Sequence, residues 1–135
     1  MQTVENDFIK FTIEDNILHS HYKKNTDLNL DLAKRLIELR HQISNNEHQY
    51  WCYNITKLKS FPKDVRDYAE IHGQECLHAT AVIINSHVTK FIMNTFLRLK
   101  KPRIPFQAFS NTTDAVLWLK KIQELNELNN TDAKK

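Results

Sequence analysis

The 135-residue chain is 41% hydrophobic and 26% charged, with a formal net charge of +3, the profile of a single globular domain able to bury roughly 65–70% of its unfolded surface. Its one glycine, Gly73, excludes phosphate loops and dinucleotide fingerprints, which need several glycines so that bare backbone can approach a phosphate. The charge is too small to demand a nucleic-acid partner, and no apolar run approaches the roughly 18 residues of a membrane span.

Met1 to Asp7 is acidic and lacks the basic-then-apolar order of a signal peptide, so a cytoplasmic location is expected. Phe8 to Ile13 alternates, with Ile9, Phe11 and Ile13 on one face, and predicts a half-buried strand. Glu14-Asp15-Asn16 turns the chain into a second strand, Ile17 to Tyr22, and the two predict an antiparallel hairpin. With glycine scarce, Asn16, Asn25, Asn45 and Asn46 are the candidates for left-handed turn positions. After a polar loop, Asn29 is placed to cap a helix whose apolar stripe runs through Leu32, Leu36, Leu39 and Ile43, ending at Asn45-Asn46.

Tyr50 to Ile55 is aromatic and β-branched, hence a strand. Pro62 suits the start of a second helix, whose stripe of Val65, Tyr68, Ala69, His72 and Cys76 predicts that it continues to about Leu77. The run Ala81 to Ile84 predicts a buried strand, His87 to Lys100 an amphipathic helix, and Phe106 to Phe109 a last short strand after Lys101-Pro102-Arg103-Ile104-Pro105. Asn111 or Thr112 caps a final helix with Ala115, Trp118, Leu119, Ile122 and Leu125 inward. Residues 129–135 are small and polar and predict a disordered tail after a single domain over residues 1–128. The order β-β-α-β-α-β-α-β-α implies an α/β fold with one mostly parallel five-stranded sheet and an antiparallel N-terminal hairpin.

Several phrases resemble the STAS/SEC14-like group, the fold of bacterial anti-sigma-factor antagonists. They are Ile17-Leu18-His19 with Tyr22-Lys23, Asp64-Val65-Arg66-Asp67-Tyr68, the Ala81 to Phe109 unit, and Asp114 to Leu119. The likeness spans roughly residues 8–122 and implies a small, non-enzymatic bacterial domain without cofactor, which binds partner proteins or, as in SEC14 relatives, an apolar ligand. Anti-sigma-factor antagonists carry a phosphorylated serine after an aspartate at the start of the helix following the third strand. Here Lys57 to Asp64 puts lysine or proline at that position, with Ser60 two or three residues early, which counts against a phosphorylation switch. Ser60 remains the candidate phosphosite, between Lys59 and Lys63 at a helix N-terminus, or else a plain helix cap.

Other constellations are weaker. His19 and His21 share a strand face, as metal ligands can, but no third ligand stands at a matching spacing. Cys52 and Cys76 read as packed thiols rather than nucleophiles. No acidic residue occurs between Glu75 and Asp114, and Lys90, Arg98, Lys100, Lys101 and Arg103 give that region +5. The expected helix there turns Val88, Phe91, Ile92, Phe96 and Leu99 to the sheet and leaves Met93 and Leu97 outside. The candidate interface is therefore Lys90, Met93, Leu97, Arg98, Lys101 and Arg103, suited to a protein partner, a homodimer contact or an anionic lipid-like surface. Nucleic acid is disfavoured because the same surface lacks aromatic platforms. The alternative is a pocket for an apolar or lipid-like ligand, between that helix and the sheet, lined by Phe91, Phe96 and Phe106.

Overall fold

A computed structural model describes residues 2–99 and 102–133, the side chains of residues 95–99 and 130–133 excepted. The chain opens with β1 (Gln2–Glu5), β2 (Ile9–Glu14), β3 (Ile17–Tyr22), β4 (Thr26–Asp27), α1 (Leu30–Ser44) and β5 (Gln49–Asn54). It continues with β6 (Leu58–Ser60), α2 (Lys63–His72), β7 (Leu77–Ile83), α3 (His87–Leu99), β8 (Phe106–Phe109) and α4 (Thr112–Ala133). The main sheet has six strands in the order β1-β2-β3-β5-β7-β8, and β4 and β6 form a separate two-stranded ribbon.

The expected five-stranded sheet thus gains an edge strand. β1 pairs antiparallel with β2, and Asn6 secures the join by accepting from the backbone N–H groups of Phe8 and Ile9, each at 2.9 Å. Gln2, Thr3 and Glu5 are exposed, so no apolar alternation betrays this strand. The β2–β3 hairpin forms as expected. Both turn residues, Asp15 (φ 57°) and Asn16 (φ 65°), are left-handed, the geometry whose twist matches that of paired strands. From β3 onward the pairings β3–β5, β5–β7 and β7–β8 are parallel, so the sheet is mixed.

The parallel strands follow one another across the sheet in a single direction. Crossovers of one hand then put all their helices on the same face, and α1, α2 and α3 do share one core with Phe11, Leu18, Trp51 and Val82. α4, the last element among the described residues, packs on the other face against Tyr50, Cys52, Ala79, Ala81 and Ile83.

Asn29 caps α1 as expected, accepting from the Leu32 N–H at 2.9 Å, and left-handed Asn45 (φ 54°) ends it. The second helix is shorter than its stripe suggests. α2 stops at His72, followed by Gly73, and Cys76 is not on it: with φ 57° it turns the chain into β7, which begins at Leu77. Gly73 has an ordinary right-handed conformation. Its lack of a side chain matters because a Cβ would press on the Ala69 carbonyl oxygen far inside van der Waals contact.

α3 is rotated from its expected orientation. Ser86 and Thr89 exchange hydrogen bonds at the helix start, Thr89 N–H to Ser86 Oγ at 3.2 Å and Ser86 N–H to Thr89 Oγ1 at 3.3 Å. This reciprocal cap accompanies a Thr89 that is 1% exposed. One turn later Ile92 and Met93 are buried, whereas Val88 and Phe91 are 50% and 70% exposed. α4 begins with Asn111 accepting from the Asp114 N–H at 2.8 Å. Ala115 and Leu119 are fully buried, but Leu125, expected inward, is 53% exposed. The helix also continues to Ala133, through the stretch expected to be a tail.

Candidate functional site

The face covered by three helices is organised around a residue that hydrophobic patterning passes over. Arg40 lies on the buried stripe of α1 with Ala33, Leu36, Ile37, Ile43 and Ser44, and is 1% exposed. Its guanidinium donates to the carbonyl oxygens of Gly73 (2.9 Å), Glu75 (2.8 Å) and His72 (3.5 Å) and lies over the Trp51 ring, 4.8 Å from its centroid. The nearby Glu75 carboxylate is engaged by His72 at 2.7 Å. Arg40 therefore meets the negative end of α2 and the carbonyls just beyond it rather than a carboxylate. Burial lowers its pKa to about 10, against the opposing fields of Cys76 and Glu75, so it remains charged at neutral pH.

Arg103 serves the same helix end. It donates to the Glu70 and Ile71 carbonyls, both at 3.1 Å, while Gln74 accepts from the Arg103 and Ile104 N–H groups at 2.6 and 3.1 Å. Arg103, one of the expected interface residues, is exposed, and its guanidinium also holds α2 to the loop before β8.

A cavity of ≈ 80 Å³ lies beside Arg40. Its walls come from α1 (Ala33, Leu36), α2 (Val65, Tyr68), α3 (Met93) and the sheet (Trp51, Tyr53, Phe106). The Tyr53 hydroxyl is hydrogen-bonded to that of Tyr22, and burial pushes the Tyr53 pKa up to about 12. Of the three phenylalanines expected to line a pocket, Phe106 does so, Phe91 faces outward, and the Phe96 side chain lies outside the described residues. Drug-sized ligands occupy about 300–1,000 Å³. The cavity therefore has room for a small group and not for a lipid tail.

The outer surface offers the larger feature. A groove of ≈ 570 Å³ runs between β6, the start of α2 and the start of α3. Phe61, Val88, Phe91 and Ile92 supply its apolar lining, and Lys59, Arg66 and His87 its basic one. Lys90 is exposed one turn from His87 and lines the adjoining depression with it. Three neighbouring acids are engaged: Asp27 accepts from the Ser60 hydroxyl at 3.0 Å, Asp64 from the Val65 N–H at 2.8 Å, and Asp67 pairs with Lys63 at 2.8 Å.

Of the expected interface residues, Lys90 is on this exposed side, while Met93 is 5% exposed and belongs to the core. The Leu97 and Arg98 side chains and Lys101 lie outside the described residues. Ser60 is on β6, not at a helix start, and α2 is preceded by Pro62 with no side-chain cap. A phosphate on Ser60 would replace its hydrogen bond to Asp27 with repulsion between two anions.

His19 and His21 stand on the sheet face that α4 leaves partly open, and burial lowers the pKa of both. Among the described residues no group of three or more His, Cys, Asp or Glu gathers as for a metal ion. Cys52 is buried mid-strand, and burial pushes its thiol up to about 11. Among the described residues no helix is long and apolar enough to cross a membrane.

A family model described as a domain of unknown function (DUF7793) matches residues 11–123. Among curated proteins, none matches the sequence. A similar solved structure is an uncharacterized protein of the DUF3478 family with a SpoIIAA-like fold, from Shewanella loihica PV-4. It is 15% identical with a TM-score of 0.59, over 88% of this chain and 99% of that one. That identity carries the fold and nothing further. With its mixed sheet and three helices on one face, this chain has a SpoIIAA-like fold and belongs to the DUF7793 family.

Proposed function

We propose that the protein is a non-catalytic binding module, with a regulatory role in the cytoplasm, that receives an acidic, apolar-anchored protein segment in the groove between β6, α2 and α3. The observation that carries this reading is Phe91, 70% exposed beside half-exposed Val88, in a groove whose charged lining residues are Lys59 and Arg66. A large aromatic left in water forgoes roughly 1.5–3 kcal/mol of burial, and aromatic anchors ringed by charge are the usual centres of protein contacts. The cations favour an acidic partner over a basic one.

Titrating isotope-labelled protein with an amphipathic Leu/Glu peptide, and with its Leu/Lys counterpart, tests the reading. The acidic peptide should shift the resonances of Lys59, Arg66, His87 and Phe91, and Phe91→Ala should weaken it about tenfold or more, the loss of a hot-spot residue. Equal response to both peptides, or response elsewhere, would overturn it.

The cavity beside Arg40 supports a second, narrower reading, a site for a small apolar group lodged among Trp51, Tyr68, Met93 and Phe106. In a Trp118→Phe background, benzene or toluene should change Trp51 fluorescence and raise the melting temperature, and Ala33→Leu should abolish both effects. A ligand response unaltered by Ala33→Leu would place the binding elsewhere.

A further inference from the structure

α4 is longer than the sheet it covers. Its 22 residues span about 33 Å, whereas the seven residues of β7 span about 23 Å. The helix starts beyond β8, at the carboxyl end of the parallel strands. It reaches their amino end at Asn126, which donates to the hydroxyl of Tyr50 on β5 at 2.9 Å. Ile122 is the last residue of α4 packed on the second core. Past it, Leu125 and Leu128 are 53% and 59% exposed and one turn apart, thus on neighbouring positions of one helix side. Residues 122–133 contain three acids, Glu124, Glu127 and Asp132, and no base, between Lys120–Lys121 before them and Lys134–Lys135 after.

The stretch of α4 around Leu125 and Leu128 therefore sets exposed leucines beside two acids, Glu124 and Glu127, the chemistry that the α3 groove suits. The two surfaces cannot meet within one molecule. The groove lies at the carboxyl end of the strands, where α2 and α3 begin, and on the face opposite α4. We propose that the groove receives the end of α4 from a second copy of this chain, with Leu125 and Leu128 against Phe91 and Val88, and Glu124 facing Lys59 and Arg66.

This proposal rests on the groove reading above and names its occupant. The contact joins two different surfaces: copies related by a two-fold axis make it twice and close as a dimer, and any other relation leaves one groove and one helix end unused. Without the two-fold relation the contact propagates, into a ring if the rotation closes and into an open chain if it does not.

Sedimentation of the full chain in low salt, from about 10 μM to about 1 mM, the range in which a small interface associates, tests it. The mass average should rise with concentration above that of the monomer, and added salt should reduce it, since exposed charges are screened within about 10 Å at 0.1 M. Phe91→Glu alone and the pair Leu125→Glu/Leu128→Glu should each remain monomeric; all three sites are exposed, so the fold should tolerate them. An equimolar mixture of the two variants should reach a dimer and stop, because each supplies the one competent surface the other lacks. A wild type that is monomeric throughout, or a mixture that stays monomeric, would overturn the proposal. If such a monomeric wild type still binds the Leu/Glu peptide in its groove, the self-docking idea alone has failed; if it does not, the groove reading falls with it.

Discussion

The two faces of the sheet solve the packing problem differently. On the α4 face the centre of the contact is Ala79 and Ala81 against Ala115 and Leu119, all 0% exposed, with Tyr50, Ile83 and Trp118 around them, so the middle of one helix rests on small side chains. On the other face Phe11, Trp51, Leu36 and Val65 fill a deeper layer under three helices. That layer includes a charged arginine and a cavity of ≈ 80 Å³. Small residues permit close approach with little room to adjust, whereas large ones leave gaps where three helices from separate crossovers must converge. The first face is suited to rigidity, the second to adaptation.

The sharpest way to break this contrast is at Arg40. Arg40→Ala would strip the carbonyls of His72, Gly73 and Glu75 of their donor and enlarge the cavity. Hydrogen bonds to a charged group contribute about 1.5–3 kcal/mol each, and such losses are not additive, so urea denaturation should show a destabilisation of about 3–4 kcal/mol. A loss below about 1 kcal/mol would mean that water replaces the guanidinium, and that the three-helix face does not depend on it.

A matched pair of enlargements measures room directly. Ala81→Leu on the close face should cost about 1–3 kcal/mol by overpacking. Ala33→Leu, made where Ala33 lines the cavity, should be nearly neutral or stabilising. Equal costs in chemical denaturation would erase the distinction between the faces.

The smallest expected effect is that of pH. Burial lowers the pKa of His19, His21 and His78 below the ordinary value of 6.5, His48 adding to the effect at His78. All three stand on or beside the half-open α4 face. His41, on the other side, is lowered by burial and by Arg40. In the window from 6.5 down to each lowered value the unfolded chain binds more protons than the folded one. Stability is therefore complete above 6.5 and declines as pH falls through that window. Thermal scans should show the melting temperature dropping between pH 7 and pH 5, with a shallower slope in His19→Gln/His78→Gln. A flat profile for the parent protein would contradict the assigned shifts.

Where one periodicity dominates, the residues announce their elements. The β2–β3 hairpin, α1 with its Asn29 cap, and the short strand β8 are all legible in this way. What escapes is whatever depends on a single side chain aimed across the fold. The edge strand β1 has no apolar alternation because only Val4 packs against the core, while Gln2, Thr3 and Glu5 are exposed. The rotation of α3 follows the Ser86–Thr89 exchange, a polar signal that outweighed Phe91 as an inward anchor. Arg40 could have been found: it falls four residues after Leu36 and four before Ser44, on the apolar stripe of α1, and a lone cation in such a stripe needs a buried partner. The carbonyls it meets lie more than thirty residues away, and no local pattern points to them. The groove around Phe91 was hidden for the same reason, since its two sides come from separate crossovers.

The left-handed pair Asp15 and Asn16 has a kinetic consequence. β1, β2 and β3 are contiguous in sequence and need only short closures, so this ladder can form on the microsecond scale of hairpins, about 1–10 μs. The parallel strands must wait for whole helices to cross over, a slower search. Yet Lys120 of α4 reaches back to Asp15 at 2.6 Å, across 105 residues. The tip of the turn expected to form earliest is thus grasped by the last helix to dock. An exposed pair of this kind adds little to equilibrium stability, but as a late contact it should chiefly slow unfolding, a latch on the route out of the native state.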